Sequence, residues 1–280
     1  MKIFKTRAWS RFSRNPLSVT GATIVLAVTL LAVFAPIIVP YPAHSGAFID
    51  FGNSNLGPSG AYWFGTDGLG RDILTRVIYG YRVSLLLGVV VLSISVPFGV
   101  SLGLLAGFYG GRVETVIMRI TDVFLAIPAL VLALAVLGFL EATLFNAMLA
   151  LAVMWWPWHT RLTFNITRSL RTEDYVEASM IIGASDAHII LREILPNGLP
   201  SILTKMTLDM GFVILIASAL SFLGLGVQPP TPDLGTMVAD GANFLPDLWW
   251  LSVFPGLGIL VVVLGFNLLG DGLRDMLDVD

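Results

Sequence analysis

Few side chains in this sequence could do chemistry, and they are scattered. The three histidines, His44, His159 and His188, stand at no spacing that would bring two of them onto one metal ion, and with zero cysteines there is no thiolate to help. That lack also excludes disulfides and thiol catalysis. Glycines 65, 68 and 70 in FGTDGLGRDILTR suggest a phosphate-cradling loop, but no Gly-Lys-Ser/Thr follows there or elsewhere. No nucleophile elbow, zinc-hydrolase motif or catalytic dyad occurs. The expectation is a non-catalytic chain without metal, cofactor or nucleic-acid partner. Two carboxylates lie within apolar surroundings. Asp209 has Lys205 one turn before it and Asp122 follows Arg119 by three residues, so each can be satisfied locally in a structural role.

One polar, helix-forming stretch interrupts the apolar chain: RTEDYVEASMIIGASDAHIILREILPNGLP, residues 171–200. Asp174 can cap a first helix, with Glu177 three residues on completing a capping box. Gly183 suits the left-handed position after a helix end, and Ser185 can cap a second helix over 186–194, which Leu195-Pro196 would end. In that second helix Ala187, Ile190, Leu191 and Ile194 form an apolar stripe backed by Arg192 and Glu193. Such a pair could lie on a bilayer surface or receive a soluble partner, and periodicity alone favours neither.

The elements that must hold this stretch are membrane spans. Hydrophobic residues make up 56% of the chain and charged ones only 12%, too little polar surface for a water-soluble globule of this length. Apolar runs near 17–39, 83–108, 115–140, 142–165, 201–226 and 249–270 are each long enough, at about 20 residues, to cross the hydrocarbon layer as a helix. The fold class expected is an all-α membrane protein, a six-helix polytopic bundle. A turn at Glu141, Thr143 and Asn146 separates spans three and four, and Glu141 falls at the outer surface. Residues 1–16 form an N-terminal tail and 17–280 a single transmembrane domain with an outer segment at 40–80. The first span is too long for a signal-peptide core and no clean cleavage site precedes Pro36, so it reads as an uncleaved anchor.

Orientation follows from the basic residues. Lys2, Lys5, Arg7, Arg11 and Arg14 precede span one, Arg112 and Arg119 sit by the second connection, and Arg161, Arg168, Arg171, Arg192 and Lys205 flank the polar stretch. The positive-inside bias then places both termini and residues 171–200 in the cytoplasm of a multi-pass plasma-membrane protein. Outside, a short helix is expected from Thr66 or Asp67 to Gly80. Gly99, Gly103, Gly107 and Gly111 give span two a stripe for close helix packing. Pro97, Pro128, Pro157 and Pro255 tend to kink their helices, and Trp155, Trp156, Trp158, Trp249 and Trp250 read as interface anchors.

The polar stretch also resembles the EAA loop of bacterial ABC importer permeases: Glu177, Ala178, Gly183, Asp186, Ile190, Leu195, Pro196 and Asn197 stand at that loop's recurring positions, with Tyr175 just before. Ser179 departs from the family's second alanine. FGTDGLGRDILTR is similar to the outer-loop motif of the dipeptide, oligopeptide and nickel branch, in its C-type subunit. SFLGLGVQPPTPDLGTMVADG and FPGLGILVVVLGFNLLGDGLRDMLD match in order, so the resemblance spans nearly the whole chain. It implies a MetI-like, type I importer permease of a bacterial or archaeal inner membrane, with residues 171–200 as its ATPase-coupling segment. The implied partners are a second, homologous permease chain, two cytoplasmic ATPases and an extracytoplasmic substrate-binding protein. An ion-coupled secondary transporter working without an ATPase is the alternative, with Asp209 its one candidate carboxylate.

Overall fold

The structure, a computed structural model, describes residues 7–277, so Lys2, Lys5 and Asp278 lie outside the described residues. Among the described residues the regular structure is helical, with one isolated bridge, Thr66 to Asp72. The helices are α1 (Arg7–Arg14), α2 (Pro16–Val33), α3 (Ala35–Ile38), α4 (Ile73–Tyr109), α5 (Gly111–Ala126), α6 (Ala129–Leu137), α7 (Leu144–Leu170), α8 (Asp174–Ile181), α9 (Asp186–His188), α10 (Leu195–Phe222), α11 (Leu234–Ala242) and α12 (Trp250–Leu277). Among the described residues four stretches are long and apolar enough to cross a membrane: α2, α4, the run Asp186–Phe222 and α12. The pair α5 and α6 makes a fifth if taken as one span bent by 88°. The remaining expected span, the fourth, corresponds to α7, whose 27 residues reach about 40 Å but whose second half carries His159, Thr160, Arg161, Thr163, Asn165 and Arg168.

Several helix ends follow from single residues. Asn15 caps α2 by accepting from the Leu17 amide, and Pro16 fills the first position, where its missing N–H costs nothing. Thr143 caps α7 from the turn expected there, and the Asn146 side chain donates to the Glu141 carbonyl. The break between α5 and α6 falls at Ile127-Pro128, where proline disfavours helical geometry in the residue before it. Pro97, Pro157 and Pro255 lie inside continuous helices instead.

The outer helix expected to end at Gly80 does not end. Helix α4 starts at Asp72, whose carboxylate accepts from the Thr75 amide at 2.8 Å, and runs 37 residues through Gly80. A Cβ at Gly80 would approach Leu234 of α11 at 2.8 Å, so this glycine serves close packing rather than termination.

The core lies where α4, α7 and α10 meet, with Val91, Leu151, Val213, Ile214 and Leu220 fully buried. In lipid, where apolar burial between helices gains little, small residues that let backbones approach hold such helices together. Gly99, Gly103 and Gly107 of α4 face α7, where a Cβ at Gly103 or Gly107 would sit 2.6 Å from the Cβ of Thr163 or Thr167. Gly111 leaves the stripe: with φ +54 it forms the turn between α4 and α5 together with Gly110. A similar seam joins α2 to α12 antiparallel, through Gly21 on Leu268, Gly265 on Ile24 and Gly272 on Ser18. Asn15 donates to Asp275 at 3.1 Å, so the two described ends of the chain share one end of the bundle. Trp155 and Trp156 are buried rather than interfacial, and Trp156 packs edge-on to Phe98 and Phe124. Trp158 and Trp249 remain exposed.

At the opposite end residues 40–72 fold into a compact knot. The Thr66 hydroxyl donates to the Asn53 carbonyl at 2.6 Å and accepts from the Leu56 amide at 2.8 Å. Gly65 and Gly70 have φ of +78 and +76, and any side chain there would strike backbone of Leu56 or Asp50. The glycines of FGTDGLGRD thus make this turn possible.

Candidate functional site

Where α7 ends, the chain leaves the bundle, makes a helical hook and returns. Helix α8 begins after Glu173, which caps it through backbone alone; the capping box expected from Asp174 and Glu177 does not form. Gly183 closes α8 with φ +82, its amide donating to the Met180 carbonyl at 3.1 Å and that of Ala184 to Ser179 at 3.0 Å. Nothing lies within 4 Å of a Cβ placed on Gly183, so the requirement is for backbone freedom and not for space. Ser185 then caps α9 by accepting from the His188 amide.

The second helix does not stop at Leu195-Pro196. A π-helical stretch, Ile189–Ile194, joins α9 to α10, so the helical run goes from Asp186 to Phe222 without interruption. A proline inside a regular helix collides with the carbonyl four residues back and removes a donor. The wider π-turn, in which the Leu195 amide donates to the Ile190 carbonyl, carries the chain past Pro196. The Asn197 side chain donates to the Glu193 carbonyl at 2.7 Å. The π-turn also moves the buried face: Ile189, Ile190 and Ile194 point inward, while Ala187 and Leu191 of the expected stripe are exposed.

The hook is tied together by contacts without helical spacing. Ser179 donates to Glu193 at 2.7 Å, joining its two arms, and Asn197 donates to the Tyr175 hydroxyl at 3.1 Å. The Asp186 carboxylate lies near the Tyr109 phenol at the end of α4. Val176, fully buried, seats α8 on the bundle. Of the residues singled out from the sequence, Tyr175, Glu177, Ala178, Gly183, Asp186 and Pro196 are exposed, Leu195 is half-buried and Ile190 is buried. Ile181 and Ile182 at the tip are 84% and 82% exposed, an apolar crest lying in sequence between the exposed carboxylates of Glu177 and Asp186. A cavity of about 550 Å³ beside the hook is lined by Glu114, Arg168, Arg171 and Glu177 among others.

A second charged cluster joins α7 to α10. The expected Lys205 and Asp209 pair forms, and Asp209 also lies 3.0 Å from His159 of α7, both side chains being fully buried. His159 had no partner in sequence because fifty residues separate it from Asp209. Asp122 pairs with Arg161 of α7, which packs against α5, and not with Arg119. Ser179 and Glu193 were likewise invisible as partners, because only the fold-back at Gly183 makes them neighbours.

Comparison with known proteins adds two matches along this chain. Residues 99–279 match the family described as binding-protein-dependent transport system inner membrane component, and residues 4–58 match the N-terminal TM domain of oligopeptide transport permease C. The chain is 44% identical over 264 residues, 94% of its length and 88% of the relative's, to the probable D,D-dipeptide transport system permease protein DdpC of Escherichia coli K12. It is 42% identical over 271 residues, covering 97% and 88%, to the dipeptide transport system permease protein DppC of Alkalihalophilus pseudofirmus. To the glutathione transport system permease protein GsiD of Pectobacterium atrosepticum it is 40% identical over 270 residues, covering 96% and 89%.

Proposed function

The chain belongs to the family of binding-protein-dependent transport system inner membrane components, and from that membership we propose that its hook is the surface on which a cytoplasmic ATPase docks to drive solute import. As a member it is a non-catalytic, multi-pass permease subunit of the inner membrane, and a carrier working without an ATPase is set aside. The proposed solute is a dipeptide or a related small peptide, the class printed in the names of the relatives. In this reading both termini and the hook face the cytoplasm and the knot at 40–72 faces outward. A second homologous permease chain completes the pathway, two ATPases sit below, and a substrate-binding protein delivers solute from outside.

The observation that carries the reading is the hook's apolar crest. Ile181, Ile182 and Leu191 stand exposed on a segment that buries Val176, Ile189, Ile190 and Ile194. Exposed apolar groups near charge mark a docking surface, and here they end α8 beside a second helix, bearing Leu191, that is continuous with a membrane span. When the ATPases close on ATP, Tyr175, Glu177, Ala178, Gly183 and Asp186 meet them, while Ile190, Leu195 and Pro196 pass the displacement into α10.

Because the chain has zero native cysteines, single cysteines at Glu177 and His188 can be crosslinked cleanly to the ATPase subunit in membranes. Crosslinks at both positions are expected. Labelling of these cysteines exclusively by an impermeant reagent from outside would overturn the orientation and the docking role together.

A further inference from the structure

At the end of the bundle away from the hook, a cavity of about 740 Å³ opens between the knot, the first turn of α4 and α11. Its volume falls in the range of small-molecule sites. Phe48, Met237 and Phe244 line it, together with Arg71, Arg76 and Asp240.

The charges are divided across it. Arg71 and Arg76 are buried and, among the described residues, share one carboxylate within ion-pair distance: Asp67 accepts from Arg71 Nε at 2.7 Å and lies 3.6 Å from Arg76 Nε. The other Asp67 oxygen is taken by the amides of Leu69 and Arg71, each at 2.9 Å. Arg76 Nη1 finds only the carbonyls of His44 and Pro230, both at 3.4 Å. No guanidinium nitrogen of either arginine is both buried and without a partner, so their unbonded ends open onto the cavity. The floor therefore carries two guanidinium groups with free donors against one ion-paired carboxylate, while the Asp240 carboxylate acts on them only through space. Asp240, exposed at the mouth, makes no hydrogen bond or ion pair among the described residues. Planar guanidinium groups suit a carboxylate, and an unpaired carboxylate suits an ammonium.

We propose that this cavity is a landing site for a small zwitterion, whose carboxylate is held by Arg71 and Arg76, whose ammonium is held at Asp240, and whose side chains rest against Phe48, Met237 and Phe244. The charge arrangement stands on its own; the choice of a dipeptide as the zwitterion rests on the transport reading above. Such a site would hold solute on the permease itself between its delivery and its passage.

The test uses the complete permease and ATPase complex in lipid nanodiscs without the binding protein, and saturation-transfer NMR, which detects weak ligands. The probes are dialanine, N-acetyl-dialanine and dialanine amide. Dialanine is expected to bind saturably and each blocked form to bind about tenfold more weakly, the scale of one lost charge-assisted hydrogen bond. Asp240→Asn, a change at an exposed side chain, should weaken dialanine by the same factor and leave N-acetyl-dialanine unchanged. Arg71→Lys, which keeps the charge facing Asp67 but loses the planar fork, should weaken dialanine and N-acetyl-dialanine alike. Absence of saturable dialanine binding, equal binding of all three probes, or indifference to Asp240→Asn each overturns the site. ATP-driven uptake of dialanine by the system with its binding protein is scored separately: uptake without a landing site leaves the transport reading standing, and binding without uptake removes only that reading.

Discussion

Replacing Gly183 tests the docking hook through its backbone. Its φ of +82 is left-handed, and a Cβ there would meet nothing within 4 Å. The effect of a substitution is therefore conformational and should rank by tolerance of that region rather than by volume. Asn visits it readily, Ala at ~1 kcal/mol and a β-branched Val at ~2 kcal/mol. These costs shift the equilibrium between the native turn and its alternatives about fivefold for Ala and about thirtyfold for Val. The tie from Ser179 to Glu193, 2.7 Å long, holds the same geometry from the other side of the turn. Ser179→Ala removes roughly 1 kcal/mol of that support, and combined with Gly183→Val it should do more than the sum of the two changes. The assay is ATP-driven uptake in proteoliposomes together with co-purification of the ATPase. Gly183→Asn should behave as the parent, Gly183→Ala should weaken coupling slightly, and Gly183→Val should lose most coupled transport or ATPase association while the membrane bundle remains folded. Normal transport by Gly183→Val, or equal damage from Asn and Val, would refute the reasoning.

Other perturbations reach the bundle and the outer knot. Asp209→Ala leaves Lys205 and His159 facing each other without their carboxylate, and should lower thermal stability in detergent by about 3 kcal/mol, whereas the paired change Asp209→Leu with Lys205→Met should recover much of it. Gly103→Ala puts a methyl 2.6 Å from the Thr163 Cβ and 2.7 and 2.9 Å from backbone of Thr160 and Phe164; it should cost about 1–3 kcal/mol in the same melt, and Thr163→Gly should recover only a small part of it. His44 accepts from the Asp72 amide at 2.9 Å, and burial holds its pKa below the ordinary value of 6.5 despite the nearby carboxylates of Asp72, Asp67 and Asp50. The unfolded segment then takes the proton first, so the stability His44 lends the knot is present above pH 6.5 and declines as the pH falls below it. Protease cleavage within residues 40–72 should accordingly rise between pH 7.5 and 5.5, a change that His44→Gln should abolish.

Much of this architecture is written in local patterns. The apolar runs locate α2, α4, α7, α10 and α12, the Thr143 turn needs three residues, and Gly183 with Ser185 announces the fold-back before any coordinates. What escapes local reading is decided between helices. Gly80 and Leu195-Pro196 look like terminators in sequence; one is a contact with Leu234, and the other is accommodated by a π-turn. Asp122 has a basic neighbour three residues before it but finds its partner 39 residues away. The buried meeting of His159 with Asp209, the tie between Ser179 and Glu193 and the charge division of the outer cavity all join segments distant in sequence, and no periodicity encodes them.

The unbroken run from Asp186 to Phe222 makes one rod of 37 residues, about 55 Å long. A rod of that length is a lever. Tilting it by about 5° about Asp209 carries the inner end sideways by about 3 Å and the far end the opposite way by about 2 Å. His159, gripping Asp209 partway along, is then placed where a fulcrum belongs. A loop between hook and span would have absorbed the same push in its own bending, and a break at Pro196 would have halved the arm.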